Sequence, residues 1–340
     1  MSFFSSWTPT ALIRNWPGIA ISGVIALAAA FVSSSYGGPQ LLFALFFGLA
    51  FHFLAQNEHC RPGIEFCSKV LLRTGVALLG ARITLPQIAS LGVATIGLVV
   101  FGVMSTIFVG WALARLLRRP SVEGFLSGGA VGICGASAAL AIAAVLPQTK
   151  ENERFTLLTV VGVTTLSTLA MIVYPLLVKL AGLDEVAAGI FIGGTIHDVA
   201  QVVGAGYLIS NHTGDIATVV KLTRVACLVP VVLGFSIMFQ SRAGNTEFDL
   251  PPLVPFFLIG FGFLVLANTY GLIASQATSV VNGVSRGCLV TAIAALGIKT
   301  SFQSLAELGW RPILMLVAET VWIAGVVMIG VLLLRSGIKL

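Results

Sequence analysis

Two stretches of this chain place glycine and polar side chains in the middle of long apolar runs. The first reads Gly128-Gly129-Ala130-Val131-Gly132-Ile133-Cys134-Gly135-Ala136-Ser137-Ala138-Ala139. Glycine is costly inside a helix, and this one has Gly128, Gly129, Gly132 and Gly135 close together. Strong helix formers follow, in Ala138-Ala139-Leu140-Ala141-Ile142-Ala143-Ala144. The spacing predicts a break around Gly132–Gly135, with Ser137 opening a second half-helix. The free N–H groups and positive dipole end of such a half-helix bind an anion without any fixed charge. Gly132, Cys134, Gly135, Ala136 and Ser137 are then substrate-site candidates, with thiol and hydroxyl donors from Cys134 and Ser137. The competing reading is that small residues here only let helices pack closely, and the two are compatible.

The second stretch reads Gly193-Gly194-Thr195-Ile196-His197-Asp198-Val199-Ala200-Gln201-Val202-Val203-Gly204-Ala205-Gly206-Tyr207. His197 and Asp198 lie half-way along it, with Thr195 and Gln201 near the face of Asp198. An Asp at mid-membrane costs roughly 2.5–3.5 kcal/mol on insertion scales, so a role in a proton relay, ion coupling or substrate contact is expected. Imidazole titrates near physiological pH, which makes His197 with Asp198 the candidate coupling pair. The alternative is a structural hydrogen-bond cluster that holds a kinked helix.

Other polar residues at depth are Arg73, Lys221, Arg224, Asn282 and Arg286. Lys221 and Lys69 are expected to snorkel toward a span end. Arg286, beside Asn282 and Ser285, and Arg73 lie deeper, and join the candidate substrate contacts. Asp198 is the single carboxylate expected near the midplane. More cations than anions at depth favours an anion as cargo.

These residues need a membrane-embedded scaffold, and composition calls for one. The 340 residues are 57% hydrophobic and only 9% charged, with mean hydropathy +1.01. Soluble domains carry about 25% charged residues, so most of this surface must face lipid. The net charge of +6 and pI near 9.3 form no basic stripe, which argues against a nucleic-acid partner. In a membrane protein such charge reflects Lys and Arg in cytoplasmic loops. The five cysteines (Cys60, Cys67, Cys134, Cys227, Cys288) have no metal-type spacing, and neither a metal nor a cofactor is expected.

About eleven apolar runs are long enough to cross ~30 Å of hydrocarbon, at roughly 17–36, 38–56, 63–82, 91–113, 122–146, 155–181, 185–209, 215–239, 251–273, 276–298 and 312–335. Ala28-Ala29-Ala30 resembles a signal-cleavage site, but only Arg14 supplies positive charge before it, so an uncleaved span is expected. Connections are short and no soluble domain fits between runs. The expected fold is therefore one all-α polytopic membrane domain over 1–340, with discontinuous helices near 128–139 and 193–206.

Positive residues near span ends put the N-terminus in the cytoplasm, with Arg14, Arg61, Lys69, Arg115, Arg118, Arg119, Lys179, Arg242, Lys299 and Arg311 inside. Arg82, Lys150, Arg154, Arg335 and Lys339 then fall outside, and an odd span count leaves the C-terminus external.

Shifting the chain on itself by 217 positions lays Leu79-Gly80-Ala81-Arg82-Ile83-Thr84 over Leu296-Gly297-Ile298-Lys299-Thr300-Ser301, and Ala89-Ser90-Leu91-Gly92 over Ala306-Glu307-Leu308-Gly309. Two basic pairs, Lys69/Arg286 and Arg82/Lys299, share that offset. The repeat halves are approximately 40–113 and 257–330. Seven runs separate partners, and an odd number reverses direction across the bilayer. Inverted repeats are characteristic of secondary transporters.

Enzyme readings fare poorly. The chain has no His-Glu-x-x-His zinc motif and no phosphate-binding Gly-x-x-x-x-Gly-Lys-Ser/Thr loop. An intramembrane serine protease using Ser137 and His197 lacks the nucleophile elbow, because Ala139 stands where it needs glycine. An anion channel is the third class, and it needs neither a repeat nor a midplane titratable pair.

Three segments carry a family resemblance: Gly-Ile-Cys-Gly-Ala-Ser-Ala-Ala (132–139), Ile-His-Asp-Val-Ala-Gln-Val-Val-Gly-Ala-Gly (196–206) and Arg-x-Gly-x-x-Leu-Leu-Gly-x-Arg-Ile (73–83). Over nearly its whole length the chain resembles the YeiH/TauZ-type family of bacterial multi-pass inner-membrane proteins that carry the label sulfate exporter. The resemblance implies 10–11 spans and a sulfur oxyanion as cargo, but it supplies no site residues. The expected function is a secondary transporter of a small inorganic or organosulfur anion, coupled to protons or to the membrane potential. Lipid and the anion are the expected partners, and a homo-oligomer is left open.

Overall fold

The computed structural model describes residues 9–36, 40–147, 149–240, 256–300 and 310–336, and every regular element among them is helical. The matched Ser301 and Ala306–Gly309, together with Arg242 and Lys339, lie outside the described residues. Six helical segments are long and apolar enough to cross a membrane: Ile13–Tyr36, Gly92–Leu116, Lys150–Leu180, Asn211–Phe239, Gln276–Lys299 and Trp310–Arg335. The other five expected runs are shorter or interrupted, so helix length supports a polytopic membrane protein without giving eleven spans. The first segment continues unbroken through Ala28–Ala30.

The chain divides into two compact units, Met1–Ser90 with Phe256–Ser301, and Leu91–Pro255 with Phe302–Leu340. The first unit holds α1 (Pro9–Tyr36), α2 (Gln40–Ala50), α3 (Arg61–Phe66), α4 (Leu72–Leu79), α5 (Leu85–Ser90), α14 (Phe256–Thr269) and α15 (Ser275–Lys299). A π-helical turn at Cys67–Leu71 joins α3 to α4. Helix α2 lies so close to α15 that a Cβ at Gly297 would sit 2.4 Å from the Leu45 carbonyl oxygen. Helix α4 and its following turn approach α14 as closely, a Cβ at Gly80 falling 2.3 Å from the Phe261 carbonyl oxygen.

The second unit holds α6 (Gly92–Leu116), α7 (Ser121–Gly132), α8 (Ala136–Ala143), α9 (Lys150–Leu180), α10 (Glu185–Thr195), α11 (Val199–Ile209), α12 (Asn211–Ala226), α13 (Leu228–Gln240) and α16 (Trp310–Arg335). Helix α6 shows the inside-out chemistry of a lipid-facing element: Phe101, Met104 and Phe108 point outward while Gly102, Val103, Thr106 and Gly110 are buried. Polar caps start the helices that follow: Thr149 Oγ1 accepts from Asn152 N, Asp184 from Ala187 N and Ser210 from Thr213 N.

Both interrupted runs of this unit double back instead of continuing straight. Helix α7 runs antiparallel to α6, with Gly124 against Gly110 and Gly132 against Val103, which lies near the middle of α6. Helix α8 then returns: a Cβ at Gly129 would lie 2.3 Å from Ile142 Cδ1, and Ala143, Ala144 and Pro147 share a cavity with Asn152 and Thr156 of α9. The second run repeats the device. Thr213, at the start of α12, donates to the carbonyl of Glu185 at the start of α10, while Gly206 of α11 meets Gly214. Thus α7–α8 and α10–α11 are helical hairpins: each is discontinuous where expected, near 128–139 and 193–206, but doubles back, which corrects the expectation that 122–146 and 185–209 each cross the membrane.

The hairpins also correct the placement of three charged residues. Arg119, Arg154 and Arg311 line one cavity, so the start of α9 lies at the same end as the starts of α7 and α16. Lys150 and Arg154 therefore accompany Arg119 and Arg311, not the opposite side. Lys179, near the C-terminus of the 31-residue α9, goes to the far end. Impermeant maleimide labelling tests this placement: Arg115→Cys and Glu151→Cys should react from one side of the membrane and His212→Cys from the other. Labelling of positions 115 and 151 from opposite sides would restore the straight span.

Candidate functional site

The candidate site forms where the tips of the two hairpins meet, wholly within the second unit. Helix α7 ends at Gly132, Ile133 leaves helical geometry (φ −107°, ψ −84°), and Gly135 takes φ 66° and ψ −128° before α8 opens at Ala136. That last conformation is essentially open only to glycine, which is why the chain can turn here. The other glycines serve the second purpose read from the sequence. A Cβ at Gly128, for example, would sit 2.8 Å from the Thr106 carbonyl oxygen, so small residues let α7 press against α6.

In the facing hairpin, α10 ends at Thr195, Ile196 is extended, and Asp198 caps α11 by accepting from Ala200 N at 3.4 Å. Ser167 Oγ of α9 accepts from Asp198 N at 3.0 Å, and Gln201 Nε2 lies 3.4 Å from Thr168 Oγ1. His197 is fully buried and its Nε2 is 3.0 Å from Thr320 Oγ1 of α16. The tips touch: a Cβ at Gly135 would lie 3.5 Å from His197 Cβ.

Two cations on α12 tie both tips together. Lys221 Nζ donates to the carbonyl oxygens of Ile133 (2.6 Å) and Ile196 (3.0 Å). Arg224 donates from Nε to Gly132 O (2.9 Å), from Nη2 to Val131 O (2.7 Å), and from Nη1 to Ile196 O (3.1 Å) and Gly193 O (3.4 Å). Both side chains are 0% exposed, so Lys221 does not snorkel as expected. These positive groups lie on the carbonyl-rich C-terminal ends of α7 and α10, where the helix dipole is negative. A surplus of buried cations is therefore no argument by itself for an anionic cargo, because these two already have partners.

Four half-helix ends converge here, and three of them carry a compensating charge. Arg224 and Lys221 answer the C-termini of α7 and α10, and Asp198 answers the N-terminus of α11. The N-terminus of α8 has glycine as its cap and no side-chain cap bond. Next to it Cys134 Sγ and Ser137 Oγ are 2.9 Å apart, and Ser137, which is exposed, also donates to Cys134 O. Ser137 and His197 thus have other partners, Cys134 and Thr320, in place of the serine–histidine bond of a protease.

Of the sequence candidates, Gly132, Cys134, Gly135, Ala136, Ser137, Thr195, His197, Asp198 and Gln201 all belong to this tip region. Thr195 turns its hydroxyl back to Phe191 O at 2.6 Å. Arg73, Asn282 and Arg286 belong to the first unit, where Arg286 Nε donates to Gln40 Oε1. Glu319, not among the residues expected from the sequence, is 0% exposed on α16 and accepts from Ser127 Oγ at 2.6 Å through Oε1, while Oε2 is buried with no hydrogen-bond partner among the described residues. Its neighbour Thr320 meets His197, so Glu319 lies at tip depth and Asp198 is not the only carboxylate there. A lone acid inside the apolar run of α16 was the available signal.

Comparison with known proteins gives concordant results. Residues 17–316 match the family model described as Conserved hypothetical protein 698. A UPF0324 membrane protein of Chlorobaculum tepidum is 54% identical over 93% of this chain and 88% of its own length. The UPF0324 membrane protein TauZ of Paracoccus pantotrophus is 49% identical over 94% of this chain and 95% of its own length, and one from Rhizobium meliloti is 48% identical over 92% of each. No solved structure matches the chain.

Proposed function

Because this chain belongs to the UPF0324 family of membrane proteins, we propose that it is a secondary carrier that moves a small oxyanion such as sulfate or sulfite across the bacterial inner membrane. The observation that carries this reading is the charge balance at the hairpin tips. Three of the four half-helix ends are compensated by side chains, the N-terminus of α8 has no side-chain cap among the described residues, and in this reading a mobile anion answers it. The first N–H groups of a helix have no acceptor within it, and oriented amides suit the tetrahedral or pyramidal oxygens of sulfur oxyanions. Ser137 and Cys134 lie beside these amides, and their hydroxyl and thiol reach the anion only by giving up their bonds to each other and to the Cys134 carbonyl. Interrupted helices that converge near mid-bilayer are where such carriers bind substrate.

Contacts at the 217-residue offset support mirror-related halves. Trp322 Nε1 donates to Ser105 Oγ, a pair separated by 217 positions. Under the same shift Gly102 corresponds to Glu319 and Gly110 to Val327, and the contacts are reciprocal: Gly102 faces Val327 while Gly110 faces Glu319. An element beside a two-fold axis meets its own counterpart in this way. In the first unit Gly297 approaches Leu45 and Gly80 approaches Phe261, equivalent within one residue. On this reading the two hairpins are re-entrant elements, and nine crossings stand in place of the eleven expected from the sequence. An odd number still separates the halves, so the inverted sense is retained. With the N-terminus inside, Arg115, Arg118, Arg119, Lys150, Arg154 and Arg311 then all face the cytoplasm, a stronger positive-inside bias than straight spans would give.

His197 and Asp198 are the coupling pair in this reading, with protons or the membrane potential as the driving force. In proteoliposomes, uptake of labelled sulfate or sulfite is expected to saturate and to show counterflow. Linear flux without counterflow would favour the channel, and inertness toward sulfate, sulfite, organosulfonates and carboxylates would remove the anion-carrier reading. Asp198→Asn keeps the helix cap but loses the charge, and is expected to uncouple or abolish flux. Normal pH-dependent transport by that variant would refute the role of Asp198.

A further inference from the structure

We propose that Lys221 and Arg224 are tethered cations, seated where a cation-coupled carrier would bind its ion, so that this protein moves its anion without a co-transported metal cation and leaves protons or the membrane potential as the driving force. The inference rests on the carrier reading above and specifies its coupling. In carriers built on interrupted helices, half-helix C-termini and unwound carbonyls commonly hold the coupling ion. Here the equivalent carbonyls are already occupied. Lys221 Nζ lies 2.6 and 3.0 Å from the carbonyl oxygens of Ile133 and Ile196, one from each hairpin, as a bridging metal ion would. Arg224 takes Val131, Gly132 and Gly193 and shares Ile196.

Both side chains are completely buried, and every described hydrogen bond they make ends on a main-chain carbonyl. The guanidinium is always charged, and an ammonium is a compact point charge comparable to an alkali ion. The helix that carries them is locked to both arms of one hairpin: a Cβ at Gly193 would lie 2.4 Å from Ala217 O, and one at Gly206 2.9 Å from Gly214 Cα. A co-transported ion couples by binding one state of the carrier more tightly than another and then leaving. A covalently attached cation never leaves. It joins the tips permanently and passes no ion gradient on to the anion.

The test uses the full-length protein in proteoliposomes with labelled sulfate or sulfite, in sodium, potassium or choline media at equal potential and pH. Wild-type flux should be the same in all three, and its melting temperature in detergent should not differ between sodium chloride and choline chloride, since an ion that bound the folded state would raise it. Lys221→Ala should lose about 100-fold or more of its flux in choline, the scale for stripping one partner from a buried charged network. Sodium or ethylammonium, entering the vacated seat, should restore at least part of it. Sodium-dependent wild-type flux or melting would overturn the proposal. So would a folded Lys221→Ala protein that runs normally in choline, or one that neither sodium nor ethylammonium revives. If Lys221→Ala does not fold, the wild-type flux and melting comparisons still decide. Absence of anion flux in every medium would instead overturn the carrier reading itself, a result distinct from sodium-dependent flux.

Discussion

Gly135→Ala is expected to reduce oxyanion transport about 10–100-fold while leaving the protein folded and membrane-inserted. Space is not the obstacle, because the added Cβ would lie 3.5 Å from His197 Cβ, an ordinary contact. The obstacle is the backbone: φ 66° with ψ −128° is a conformation that a residue with a Cβ holds only at about 1–3 kcal/mol. Each 1.4 kcal/mol is tenfold in an equilibrium, which sets the expected range. The chain would relieve this strain by re-aiming the first N–H groups of α8, the groups that face the anion in the proposed site. Gly128→Ala separates this effect from simple crowding. Its Cβ would press within 2.8 Å of Thr106 O, so it should lower the melting temperature by loosening α7 from α6. Initial-rate uptake and detergent melting curves on both variants check the distinction. Uptake by Gly135→Ala at the wild-type rate would show that the α8 terminus does not hold the anion.

Arg224→Gln is expected to be the most destabilising single change in the second unit, on the scale of 3–5 kcal/mol. Interhelical hydrogen bonds between neutral groups in membranes average only about 0.6 kcal/mol, so a neutral bond of that kind would be a minor loss. Arg224 differs because it is 0% exposed and makes four bonds to the negative ends of two half-helices at once. Removing it leaves several carbonyls facing each other without a counter-charge. Arg224→Lys should fall in between, since a single ammonium keeps the charge but cannot span Val131, Gly132 and Gly193 as the planar fork does. Arg286→Gln, at an exposed site in the first unit, should change stability by less than about 0.5 kcal/mol. Thermal or sodium dodecyl sulfate unfolding in mixed micelles ranks the three. An Arg224→Gln protein as stable as Arg286→Gln would mean that the tips are held by hairpin packing alone.

The position of the first tip is legible in the sequence to within a few residues, and the second only as a discontinuity within 193–206, where Asp198 reads as a buried titratable group until the structure shows it as a cap. The glycine run through Gly135 lowers helix propensity, and Ile196-His197-Asp198 puts a capping carboxylate directly before a helix-forming segment, so the breaks fall at 133–135 and 196–198. The membrane setting is equally plain from hydropathy. The course of the chain after each break is not. A straight continuation and a hairpin have the same apolar length, and the choice is made by Gly129 meeting Ile142 and Thr213 meeting Glu185.

Charged residues divide along the same line. That Asp198 lies deep follows from its place half-way along an apolar run, a purely local fact. Lys221 looks like a snorkelling lysine until Ile133, 88 residues earlier, and Ile196 supply its acceptors, and Glu319 acquires its setting from Ser127, 192 residues away. Local composition therefore determined that this chain lies in a bilayer and where its helices break, since solvation and backbone propensity act over a few residues. Tertiary structure alone decided that the broken helices turn back to meet tip to tip, and which buried charge answers which helix end, because those partners are brought together only by packing between distant segments.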